Sequence, residues 1–316
     1  MKHTPRIILI LVSFFFIAQV VGLLIINQYI DHKRTAISGE TVMKPLPYGF
    51  ERPEIENKSV SFIYILFAIL TGTLLIFLLV RFNKPLIWKF WYLLTVWLTL
   101  SIAFSAFIDR RIAAVIALAL AVLKLYRPGI IIQNASEIFI YGGLAAFFVN
   151  MFNLFAAFLL LISISVYDYI SVFKTKHMIT LANFQSKSSV FAGLFIPYGK
   201  KKGHSAAAFK AYKVTAAAPG KSRQAPAPDS GQSVAVLGGG DIGFTLLFAG
   251  VVMKDLMLRE PFLTAFLKTL VIPVLAAIAL MVLLAKGKQN KFYPAMPFLS
   301  IACFAGWLIG FLFLGF

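Results

Sequence analysis

Nine stretches of this chain run apolar for the length of a bilayer crossing or close to it, and that constrains the fold more than any other feature. The first, Ile7–Ile30, has no charged residue. Past roughly 18 apolar residues a segment is read as a transmembrane helix. Further runs fall at 59–81, 86–108, 112–126, 135–150, 152–173, 233–257, 261–285 and 293–316. The runs 112–126 and 135–150 are short enough to be re-entrant or shielded by neighbours. Of the 316 residues 60% are hydrophobic and 13% charged, where a soluble domain carries about 25% charged residues. In lipid, a backbone must satisfy its own amides and carbonyls, which helices do. The sequence therefore predicts an all-α polytopic membrane protein with nine transmembrane helices. Ile7–Ile30 is too long for a signal-peptide core and lacks a small-residue cleavage site, so it reads as a retained span. Cys303 is the one cysteine, so no intrachain disulfide forms.

Orientation follows from Lys and Arg. With the N-terminus inside, the cytoplasmic side receives Arg81, Lys84, Lys89, Lys124, Arg127, the basic residues between Lys174 and Arg223, and Lys286, Lys288 and Lys291. The other side holds most of the acids. This predicts a cytoplasmic N-terminus and an outer C-terminus, with the cell membrane as the expected location. The formal charge of +18 then reflects basic loops facing anionic lipid, not nucleic acid. The long loop divides the chain into helices one to six (1–174), a basic cytoplasmic loop (175–232) and helices seven to nine (233–316). Its Ala, Pro, Gly, Ser and Lys composition cannot support a core and predicts disorder. Within it, "SSVFAGLFIPYG" is apolar but too short to span, and is expected at the interface or docked on the bundle.

Glu137, Asp168 and Asp241 are acids that fall within the spans. Glu137 stands near a predicted span start beside "QNAS" and reads as interfacial. Asp168 and Asp241 have apolar sequence on both sides, and an acid so placed is a functional candidate. Counting from the span ends puts Asp168 about 9 Å and Asp241 about 12 Å from the same membrane face. Two carboxyl groups sharing a site do not readily both ionise, so one serves as acid and the other as base. Aspartic proteases activate water this way without a metal. The glycines of "GGGDIG" weaken the helix and admit close backbone approach. Gly239 and Gly243 also form a G-x-x-x-G packing step. In "FYPAMPFL", Pro294 and Pro297 cannot both lie in one helix interior. They mark either a helix start or irregular backbone beside a cavity.

Tyr167-Asp168, Gly238-Gly239-Gly240-Asp241 and Pro294-Ala295-Met296, in that order on nine spans, resemble the presenilin and signal peptide peptidase family of intramembrane aspartyl proteases. That family carries Tyr-Asp, Gly-x-Gly-Asp and Pro-Ala-Leu at these places; Met296 stands where leucine is usual. The stretch "YDYISVFKTKHMITLA" is similar to archaeal-type members, and the inferred orientation is presenilin's. The resemblance implies a presenilin-like fold and peptide-bond hydrolysis within membrane-spanning helices. It implies Asp168 and Asp241 as catalytic residues. It implies substrate contacts at Tyr167, Gly238, Gly240, Pro294, Ala295 and Met296. No cofactor and no metal are expected. The expected partners are transmembrane peptide substrates and membrane lipids; the oligomeric state is open.

A zinc protease of the H-E-x-x-H type is excluded by sequence: His3, His32, His177 and His204 all lie in tails or loops. A Ser–His protease fails for the same lack of a histidine in the spans. The competing function is a proton-coupled transporter or ion-leak channel using the two aspartates as a relay.

Overall fold

A computed structural model describes residues 5–53, 55–82, 85–127, 129–175, 192–199, 232–287 and 293–316. Nine long helical segments stand among them, and they are numbered here as spans. They are α1 (Pro5–Gln28), α2 (Ser61–Arg81), α3 (Pro85–Ser105), α4 (Arg110–Tyr126), α5 (Ile130–Phe148), α6 (Leu154–Ile170), α7 (Gly239–Leu256), α8 (Phe262–Lys286) and α9 (Met296–Ile309). α8 is two helices, Phe262–Thr269 and Val271–Lys286, joined at Leu270. Seven of the nine are long and apolar enough to cross a membrane by length and composition. The other two are α4, only 17 residues long, and α7, which carries Asp241, Lys254 and Asp255.

α1 sits centrally, packed on α5, α7 and α8. α3, α4 and α5 pack together on one side, and α6, α7 and α9 form a mutual cluster on the other. Gly143 permits the closest crossing: a Cβ there would lie 2.9 Å from the carbonyl carbon of Thr99 and nearer still to its oxygen. α2 is the outlier, with no residue of its apolar window buried; it rests on α6 and α3. In a bilayer that face meets lipid, which matches its composition and needs no other cover. At the far end of α7, the ammonium of Lys254 is buried and donates to the carbonyls of Val149 (3.1 Å) and Phe152 (2.6 Å).

One element departs from an all-helical reading. β1 (Gly193–Gly199) pairs antiparallel with β2 (Gln232–Gly238), from Gly193 opposite Gly238 to Gly199 opposite Gln232. Of the apolar stretch expected at the interface or docked on the bundle, the described part is docked: Leu194, Phe195 and Ile196 are buried, and β1 packs on α5 and α1. The expected seventh span, starting at 233, is corrected. Residues 232–238 are strand, and the helix begins at Gly239. A short apolar run such as "SVAVLG" has the same hydropathy either way, and its β-branched valines favour the strand. The disorder expected for most of 175–232 concerns residues that lie largely outside the described ones.

Candidate active site

α6 is started by Asn153, whose side chain accepts the amide of Ala156 at 2.8 Å. It presents Asp168 near its other end, 8% exposed. There the chain widens into one π-type turn, Ser171–Thr175, and the Ser171 hydroxyl donates to the Asp168 carbonyl at 3.0 Å. Across from it α9 begins at Met296, with Pro297 in its first turn. The first amides of a helix have no intrahelical acceptor. The Met296 amide finds one in Asp168 Oδ2, at 3.2 Å. A carboxylate at a helix N-terminus is also favoured by the dipole. One turn away the hydroxyls of Ser165 and Ser300 meet at 2.7 Å, so α6 and α9 are joined at two levels.

The helix-start reading of the proline segment holds. Pro294 and Ala295 precede the helix and Pro297 starts it, which is the ordinary role of such prolines. That start is what leaves the Met296 amide free for Asp168. Pro294 and Met296 are buried and Ala295 half-buried.

Asp241 lies in the first turn of α7 and is half-buried. The depth counted along a helix from 233 is replaced by a strand of seven residues followed by the helix start. α1 secures that start. Gln19, fully buried, donates to the Ile242 carbonyl (3.0 Å) and to the Thr245 hydroxyl (2.9 Å), which bonds back to the Asp241 carbonyl (2.7 Å). Asp168 and Asp241 are close enough to interact electrostatically. Neither forms an ion pair among the described residues, whose pairs are Arg34–Asp31, Lys124–Glu137 and Lys268–Glu260.

The glycines around Asp241 divide by role. Gly239 and Gly243 face the ring of Tyr141 on α5, so the packing reading holds for them. A Cβ on Gly239 would come within 2.5 Å of the Tyr141 hydroxyl. Gly238 lies beside the acid itself, where a Cβ would stand 3.3 Å from Asp241 Oδ2, and Gly240 is exposed. Tyr167 is half-buried and its hydroxyl reaches Thr73 of α2 at 3.4 Å.

Two sequence expectations about other charges are corrected. Glu137 is not interfacial: α5 starts at Ile130, five residues before the expected 135, and Glu137 is 1% exposed. Lys124, counted among the loop charges, is 3% exposed and bonds Glu137 at 2.7 Å. Both positions follow from consecutive helices that pack together, which sets the two charges opposite each other. Lys268 is paired with Glu260.

A bundle of membrane-spanning helices that holds one buried and one half-buried carboxyl group on neighbouring helices has the build of an aspartic intramembrane endopeptidase. Comparison with known proteins bears this out. The family model described as "Signal-peptide peptidase, presenilin aspartyl protease" matches residues 12–316. The fold is similar to a presenilin family intramembrane aspartate protease solved in space group C222, with TM-score 0.58 and 18% identity, covering 96% of this chain and 98% of that one. A structure of such a protease in space group P2 gives TM-score 0.57 and 17% identity, over 95% of each chain. Among curated proteins nothing matches. The chain belongs to the signal-peptide peptidase and presenilin aspartyl protease family. It is a multi-pass membrane hydrolase whose substrates are transmembrane segments, met within the lipid.

Proposed function

We propose that Asp168 and Asp241 are the catalytic pair and hold the hydrolytic water between them. The observation that carries this is their convergence: α6, α7 and α9 pack together, the two carboxyl groups interact, and neither is neutralised by a cation among the described residues. One carboxylate takes a proton from water as the oxygen bonds to the scissile carbonyl carbon. The other carboxyl donates its proton to the carbonyl oxygen, giving a tetrahedral diol. Proton return to the amide nitrogen then releases the C–N bond. Such a pair works only with one proton shared between its members.

The substrate must unwind before its carbonyl is reachable, because a helix bonds its own amides. A bare peptide group in hydrocarbon costs several kcal/mol. Pro294 and Ala295, which precede α9, and Met296, which opens it, supply the backbone beside Asp168 with which the unwound segment would pair in strand-like fashion. Tyr167, Gly238 and Gly240 complete the substrate's surroundings. We infer a cytoplasmic N-terminus and 175–232 loop, an outer C-terminus, and residence in the cell membrane, from the distribution of basic residues.

The test uses purified protein in lipid with a labelled single-span peptide. Asp168→Ala, Asp168→Asn, Asp241→Ala and Asp241→Asn are each expected to abolish cleavage while keeping the thermal transition of the wild type. An aspartyl-protease transition-state analogue should inhibit and a chelator should not. Substantial turnover by any of these four variants would end the two-carboxylate assignment.

A further inference from the structure

Beyond the two aspartates, the described residues hold one buried cluster of titratable groups, and it points at the Asp241 turn. At its centre is Glu137, with both carboxylate oxygens engaged. Oε1 accepts the ammonium of Lys124 (2.7 Å) and the side-chain amide of Gln133 (3.0 Å). Oε2 accepts the hydroxyl of Tyr141. Lys124 donates further to the Ser136 hydroxyl at 2.8 Å. Lys124, Gln133, Ser136, Glu137 and Tyr141 are all buried. Tyr92 of α3 also lies within electrostatic range of Glu137.

Two arms leave this cluster, one ending on the strand partner of Gly238 and the other on Gly239 itself. The Gln133 amide donates to the Gly193 carbonyl at 3.0 Å, and Gly193 is the β1 residue opposite Gly238. Neighbouring Asn134 reinforces that arm by bonding both the amide (2.8 Å) and the carbonyl (2.9 Å) of Phe195. The second arm is Tyr141, whose ring and hydroxyl lie against Gly239 and whose phenol is close enough to interact electrostatically with Asp241. Gly238 and Gly239 are thus located from two directions, and Asp241 follows two residues later. Three consecutive glycines have no side chains with which to fix this backbone themselves. A chain in such a place needs outside walls, and α5 provides them.

We propose that Glu137 and Tyr141 are positioning residues for Asp241, with the Lys124–Glu137 pair as the anchor from which the Gly238–Asp241 turn is set. This rests on the assignment of Asp241 as a catalytic residue. A misplacement of about 1 Å at a reacting group reduces turnover about a hundredfold, so modest slackening of the turn has a visible kinetic effect.

The experiment measures kcat, KM, the pH profile and the thermal transition on full-length protein in lipid, with the single-span peptide as probe. Tyr141→Phe keeps the ring against Gly239 and removes the hydroxyl, and with it the bond to Glu137 and the phenol's influence on Asp241. The expectation is a fall in kcat of about tenfold or more, KM within about twofold, a changed pH profile and little change in thermal transition. Glu137→Gln, which still accepts the phenol, should be milder in kcat than Glu137→Leu. Gly239→Ala should be impaired, and its effect should be non-additive with Tyr141→Phe, since the added methyl group and the hydroxyl compete for one space. Wild-type kcat and pH profile in Tyr141→Phe, with additive Gly239→Ala, would overturn the proposal even where Asp241→Ala is inactive. Full activity in Asp241→Ala would instead remove the assignment beneath it, and the proposal with it.

Discussion

Two chemically identical substitutions, Gly143→Ala and Gly72→Ala, should act with opposite sign. In a helix interior, replacing Gly by Ala gains roughly 0.5–1 kcal/mol through backbone entropy alone. At Gly72 on α2 nothing lies within 4 Å of the new Cβ, so that gain stands unopposed. At Gly143 the new Cβ lies 2.9 Å from Thr99 C and 3.3 Å from Ala103 N, where ordinary contact begins at 3.4 Å. These are backbone atoms of α3 and cannot rotate aside, so α5 must separate from α3. Overpacking costs about 1–3 kcal/mol. With rigid backbone on the far side the upper end applies, leaving a net loss of about 2 kcal/mol after the helix gain. The assay is denaturation in mixed detergent, followed by helical circular dichroism, for both variants and wild type. Cleavage would be measured alongside, at a temperature where all three are folded. Because α5 carries Glu137 and Tyr141, Gly143→Ala should also lose activity while folded, and Gly72→Ala should not. Stability shifts of the same sign in both variants would refute the reasoning from close approach.

Lys124→Met leaves the Glu137 carboxylate buried without its cation and should destabilise by about 3–5 kcal/mol, most of it recovered when Glu137→Leu is added; the same denaturation titration decides, and an additive double variant would deny the coupling. Met296→Leu should keep activity because volume and apolarity barely change, whereas Pro294→Ala should lower activity by more than its thermal shift explains, by letting the helix extend through the segment beside Asp168; cleavage rates normalised to folded fraction test both. Activity should peak between two limbs of pH. On the acid side both carboxyl groups of the pair are protonated and no base remains; on the alkaline side both are ionised and no acid remains. A monotonic rate profile would count against a shared proton.

Much of this fold could be read from hydropathy, because a bilayer imposes the lengths directly. The runs near 59–81 and 86–108 became α2 and α3 with small shifts at the ends. What stayed hidden depended on contacts between residues far apart in sequence. Nothing local tells "SVAVLG" from a helix start; its strand state rests on pairing with Gly193–Gly199, separated from it by more than thirty residues. Glu137 looked wet because it stood near a boundary, and its burial depends on Lys124 across a turn and on five residues of α5 that composition did not reveal. Asp168, Asp241 and the proline segment stood out for the opposite reason: acids and prolines are so unfavourable among apolar neighbours that each is conspicuous by itself. Their support from Gln19, Tyr141 and Ser300 uses residue types common in membrane helices, and only the packing distinguishes these copies.

The spacing of these contacts along the chain sets an order of events during synthesis. Lys124 and Glu137 are 13 residues apart and can meet as soon as two consecutive helices have entered the bilayer. Asp168 must wait for the Met296 amide, 128 residues later. At roughly 5–20 residues per second that interval is on the order of ten seconds. Throughout it, Asp168 has been made while α9 has not, and for more than half of it Asp241 has not been made either. A half-made chain therefore has a scaffold but no hydrolytic centre, and its own emerging helices pass a site that does not yet exist.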